Sequence, residues 1–144
     1  MRTPVFLAIT ALAGATILAP VWASVDRSPK PGGVYPLKPG IYVAGKQSCG
    51  APPNAVIRQY DGRGISGAHS SACRVRIVSR RGSTFVVDQS CVDAGVGPAP
   101  RFTERQTVTV RDALNFSVKI RGQSTAYRYC PIDHLPADLR SAVR

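Results

Sequence analysis

The chain has 144 residues, with 19 Lys and Arg against 8 Asp and Glu, a formal charge of +11. This balance excludes a positively charged partner surface and directs attention to anions. A hydrophobic fraction of 44% excludes an intrinsically disordered chain, and the length suits one domain with its own core. Fifteen of the 19 cations are arginine and Glu104 is the only glutamate. Arginine's planar fork favours carboxylate, phosphate or sulfate in a way lysine does not.

Residues 1–23 read as a cleavable export signal. Met1-Arg2 is a short basic start, Val5 to Leu18 an apolar run, and Ala19-Pro20-Val21-Trp22-Ala23 ends in a small-x-small cleavage pattern. The run is short and alanine-rich for a bilayer span, so no integral membrane segment is expected after cleavage. A periplasmic or secreted address follows. In such a compartment Cys49, Cys73, Cys91 and Cys130 are expected to be oxidised staples, not thiols.

The lead-in, 24–40, holds four prolines and three glycines and is expected to run extended or mobile. From Ile41 the apolar pattern has period two, broken by glycine-bearing turns, which is the pattern of antiparallel strands. Eight are expected: Ile41–Gly45, Ala55–Tyr60, Gly64–Ala68, Cys73–Ser79, Thr84–Cys91, Arg105–Arg111, Asn115–Ile120 and Thr125–Cys130. Asp61-Gly62, Arg81-Gly82-Ser83, Asp112-Ala113-Leu114 and Gly122-Gln123-Ser124 make short links, so successive strands should form a meander.

Closing the fourth and fifth strands around Gly82 sets Ile77 opposite Val87, Val78 opposite Val86, Arg76 opposite Asp88 and Cys73 opposite Cys91. Closing the next hairpin around Ala113 sets Val110 against Phe116 and Val108 against Val118. A slip of one residue in either hairpin would mix its apolar and polar faces. The first register favours disulfides Cys73–Cys91 and Cys49–Cys130 over the rival pairing 49–73 with 91–130. The link from Val92 to Thr103 is the longest between expected strands, and its Arg101 and Phe102 are of the type that anchors interfaces. In the tail, 131–144, Leu135, Leu139 and Val143 recur every four residues, which suits a short helix over one end of the sheet.

Few residues suit catalysis or metal binding. Oxidised cysteines and two histidines do not make up a zinc set. His69, Asp93 and a nearby serine could be drawn as a triad, but no nucleophile-elbow spacing accompanies them. Glu104 with Asp93 is the only attractive carboxylate couple for a glycosidase. No catalytic residue, metal or cofactor is assigned.

The outward phase of the strands is different. With Val75, Ile77, Val108, Val110, Phe116 and Val118 inside, the outside carries Arg74, Arg76, Arg111, Lys119, Arg121 and Arg128 among hydroxyl residues, extended by Arg80 and Arg81 at a hairpin tip. That wall suits a polyanion, and the scarcity of exposed aromatics argues against nucleic acid. A merely solvated basic face is the plain alternative.

The expected architecture is therefore all-β: an eight-stranded antiparallel meander, closed or nearly closed into a small barrel, with a sandwich as the alternative. The layout is similar to small periplasmic barrels such as lipocalin-like proteins and secreted hydrolase inhibitors, a likeness of architecture that names no ligand. The expected function is a monomeric, non-enzymatic binding module that meets an anionic envelope polymer through arginines. The alternative is an interaction module, or hydrolase inhibitor, that grips an envelope protein through the 92–103 loop.

Overall fold

The computed structural model describes residues 30–95 and 100–143. The expected export signal, the start of the lead-in and residues 96–99 of the long link lie outside them.

All eight expected strands form. They are β1 (Gly40–Ala44), β2 (Ile57–Tyr60), β3 (Ile65–Ser66), β4 (Ser70–Arg81), β5 (Thr84–Asp93), β6 (Arg101–Asp112), β7 (Asn115–Ile120) and β8 (Gln123–Tyr129). They make one antiparallel sheet in the order β3-β2-β1-β8-β7-β6-β5-β4, so every pairing is between sequence neighbours except β1 with β8. The sheet curls until its two edges meet at a seam between β3 and β4, giving a nearly closed barrel.

The seam is held without a ladder. The Val75 amide donates to the Arg63 carbonyl at 3.1 Å. From inside, the Gln89 side chain accepts from the Ile65 amide at 2.8 Å and donates to the Ile65 carbonyl at 2.9 Å. Gly64 permits this approach, because a Cβ there would lie 2.7 Å from the Cys73 carbonyl.

Both hairpin registers agree with the sequence over most of their length. Arg76 pairs with Asp88 and Ile77 with Val87; Val108 pairs with Val118 and Val110 with Phe116. The expected pairing of Val78 with Val86 is corrected. Val78 is bulged, and Ser79 takes its place opposite Val86. A second irregularity at Ala72, which sits at φ 47°, lets β4 begin at Ser70. Both disulfides are those the register favoured, Cys73–Cys91 and Cys49–Cys130. Two disulfides point to an oxidising, extracytoplasmic environment. Among the described residues no helix is long and apolar enough to cross a membrane.

Alternation along the strands creates two cores. Inside the barrel lie Tyr42, Tyr60, Phe85, Val87, Val108, Val110, Phe116 and Tyr127. The lead-in joins them instead of trailing free. Tyr35 and Leu37 are fully buried, and Tyr60 Oη accepts from the Tyr35 amide at 2.9 Å while lying 2.7 Å from the Gly32 carbonyl. The lead-in thus plugs one end of the barrel. Outside, β1 and β2 turn Ile41, Val43 and Ile57 outward, where Leu135 covers them beside the Cys49–Cys130 bridge. Leu139 and Val143 complete this second core, so the tail helix α1 (Ala137–Ala142) docks on the outer face of β1 and β2, not over a barrel end.

Ile77 departs from the expected core. It faces the same side as the buried Val87 yet is 43% exposed, because β3 is only two residues long and, among the described residues, nothing crosses the seam to cover it.

Candidate functional site

The arginine-rich wall lies on the outer faces of β4 to β7. In one transverse row Arg76, Asp88 and Arg105 stand side by side on β4, β5 and β6. Asp88 accepts from Arg76 Nη2, and from Arg105 Nε at 2.7 Å and Nη2 at 3.0 Å. The Arg105 hydrogen bond leads the causes that hold the Asp88 carboxyl below its ordinary pKa, with burial opposing and Arg76 assisting. The next rows place Arg74 by Ser90 and Thr103, and Thr107 by Lys119.

The ten expected contact residues separate by what already holds them. Arg74, Arg81, Arg111 and Lys119 are exposed and make no side-chain hydrogen bond or ion pair among the described residues. Arg76 shares Asp88, and Arg121 reaches Glu104 at 3.4 Å. Arg101 is tied across the β4 bulge to the carbonyls of Ala72 at 3.3 Å and Ser90 at 3.0 Å. Arg128 holds the 47–49 turn through the Gln47 carbonyl and Cys49 Sγ. The bulge at Val78 sends Arg80 to the inner side, where its guanidinium lies 4.8 Å from the Phe85 ring centre, away from the wall. Arg101 and Phe102, expected in a loop, belong to β6, because β5 runs on to Asp93 and shortens the link to residues 94–100.

The barrel interior is filled at one end and open at the other. Phe85, Phe116 and Tyr127, with Tyr35 and Tyr42, fill the plugged half; Tyr129 packs against Tyr42. Beyond them a cavity of 430 Å³ opens at the mouth, within the roughly 300–1,000 Å³ range of small-molecule sites. Its lining follows from the strand phase. On β6 the inward residues run Val110, Val108, Gln106, Glu104, Phe102, and on β5 Phe85, Val87, Gln89, Cys91; each strand passes from apolar floor to polar wall.

Arg58 on β2 is four places from β6 in the order of eight strands, so it lies on the wall opposite Gln106 and Glu104. Its guanidinium sits 5.3 Å from the Tyr127 ring centre, with Nη1 donating to the carbonyls of Ile57 at 2.7 Å and Ala55 at 3.3 Å. Gln106 is only 7% exposed, and its carboxamide has no partner among the described residues. His69 lines the rim and makes no side-chain hydrogen bond among the described residues.

Phe102 is the one expected contact residue that reaches this cavity. Arg58, Gln89 and Gln106 were missed, although a signal existed: Gln89 and Gln106 fall in the inward phase of otherwise apolar strands. Among the described residues no cluster of three His, Cys, Asp or Glu is disposed to hold a metal. No protein-family model, curated protein or solved structure matches the chain.

Proposed function

We propose that the protein is a periplasmic or secreted, non-catalytic binding module that meets an anionic envelope polymer on the outer face of β4 to β7. The observation that carries this reading is a set of cations on the outer face of the sheet that are unpaired among the described residues. Arg74 and Lys119 stand free on rows flanking the Arg76–Asp88–Arg105 bridge, with Thr103 and Thr107 between them. An outer face of guanidinium and ammonium groups with few carboxylates releases counterions from a polyanion laid across it. The strand ladders fix the spacing of their backbone anchors, which lowers part of the ordering cost of binding.

Retention on immobilised heparin tests the wall. Arg74→Glu/Lys119→Glu should elute at clearly lower salt than Lys46→Glu/Arg140→Glu, which changes charge equally at exposed positions elsewhere. Equal elution of the two variants would reject the wall and leave only net charge. A protein partner gripping the 92–103 segment is the second reading, favoured by the 42% exposure of Phe102 at the mouth. An envelope protein whose binding is lost in Phe102→Ala, but kept in Arg74→Glu/Lys119→Glu, would select it.

A further inference from the structure

The mouth cavity is on the inner side of the sheet, so a polymer on the outer wall leaves it unused. Three features of its lining point to one ligand chemistry. First, Arg58 is a half-buried cation whose interactions are two backbone carbonyls and the face of Tyr127. Both carbonyl bonds use Nη1, which fixes the group in place and leaves its other nitrogens to an acceptor. Second, the carboxylate across the cavity, Glu104, is engaged by Arg121, so Arg58 keeps an uncompensated charge. Third, Gln106 is a largely buried residue whose carboxamide has no partner among the described residues and opens onto the cavity. An open carboxamide of this kind offers a donor and an acceptor to a ligand that enters the cavity.

Below Gln106 the surface is apolar at Val118 and the ring of Tyr127, and Ile120 and Ile65 add apolar surface beside Gln106 and Gln89. A neutral sugar would leave the Arg58 charge unanswered and set hydroxyls against this floor. A bare inorganic anion would leave the floor wet. We infer that the barrel mouth binds a small amphipathic organic anion, its carboxylate or sulfonate on Arg58 and its apolar body on the floor formed by Val118 and Tyr127. Gln106 on the opposite wall then borders the bound molecule and is open to a second polar group where the ligand carries one, and Phe102 at the rim covers the molecule.

Titrating the folded, oxidised protein with octanoate, read by ¹H–¹⁵N shifts, tests this. Saturable shifts should appear at the side-chain amides of Gln106 and Gln123. Arg58→Gln should weaken binding at least about tenfold, the scale of a hydrogen bond to a charged group. Arg74→Glu/Lys119→Glu should change it less than about twofold, which separates this site from the outer wall. Octyl glucoside, with the same chain and no charge, should bind at least about tenfold more weakly than octanoate. Shifts confined to the outer face, octanoate binding unaltered in Arg58→Gln, or equal binding of the glucoside would each overturn the inference. If Arg58→Gln does not fold, Thr125→Trp fills the mouth from an exposed position. Octanoate binding that survives that substitution would overturn it equally.

Discussion

Tyr35 and Asp88 illustrate two fates of a polar group in this barrel. The Tyr35 ring is fully buried against Tyr60 and Phe85, but its Oη has no hydrogen-bond partner among the described residues. Burial, with the neighbouring Tyr60 second, pushes its pKa well above the ordinary phenol value. A buried hydroxyl left unpaired costs about 1–3 kcal/mol. Tyr35→Phe keeps the ring and removes that cost, so it should raise stability by about 1 kcal/mol in denaturant melts; a loss would show that a partner is present. Asp88 is held low by Arg105 first and Arg76 second. A lowered carboxyl pKa stabilises the fold above the ordinary carboxylate range, and that contribution is lost as pH falls through the lowered value. Carboxyl NMR should therefore place Asp88 below an unperturbed aspartate, with Arg105→Ala moving it upward more than Arg76→Ala.

Among the elements, β4 is the exposed edge of the sheet, and its arginines have a second consequence. Beyond Val75 the ladder of β4 is open on the seam side, with Ile77 and Val78 more than 40% exposed. Such an edge invites pairing with another chain, and flanking charge prevents it. Arg74, Arg76, Arg80 and Arg81 all lie on this strand, so their presence serves solubility whether or not the wall binds a ligand. The opposite edge, β3, is held chiefly through Gln89. Gln89→Leu leaves the Ile65 amide and carbonyl unpaired and should destabilise the barrel by about 2 kcal/mol. Exchange of the Val75 amide should accelerate with it, and unchanged protection there would mean that Gly64 and Arg63 suffice to hold the seam.

For the whole molecule, the parts legible in the sequence were those governed by period-two alternation and by short turns. Strand identity, both hairpin registers and the disulfide pairing followed, because a one-residue slip in either hairpin would have exposed its core face. The less legible parts have physical reasons. Val78 and Ala72 bulge without a glycine to mark them, so the register shift carried no sign. Tyr35 and Leu37 sit among prolines and glycines, which hid a barrel plug inside a stretch that reads as a linker. Gln89 and Gln106 stand in the inward phase of otherwise apolar strands, and only the closed barrel shows that one holds the seam and the other lines the mouth. Phase placed Arg74, Arg76, Arg111 and Lys119 outside but not Arg80, which the Val78 bulge turns inward, and which cations are free depended on partners such as Asp88, Glu104 and the carbonyl at the Ala72 bulge.

The pairing of β1 with β8 has a consequence for how fast the barrel forms. Every other ladder is local, while this one joins strands separated by nearly the whole domain, and Cys49–Cys130 bridges the same gap with a sequence separation of 81. Loop closure before the first β1–β8 contact should therefore dominate the folding barrier. With that bridge intact the closure is already made in the unfolded chain, whereas Cys73–Cys91 spans only 18 residues within one hairpin. Stopped-flow refolding should accordingly slow much more for Cys49→Ala/Cys130→Ala than for Cys73→Ala/Cys91→Ala. Similar slowing in both would place the rate-limiting step in the β4–β5 hairpin instead. On this view the 49–130 disulfide sets how long the chain spends with its core residues exposed before the barrel closes.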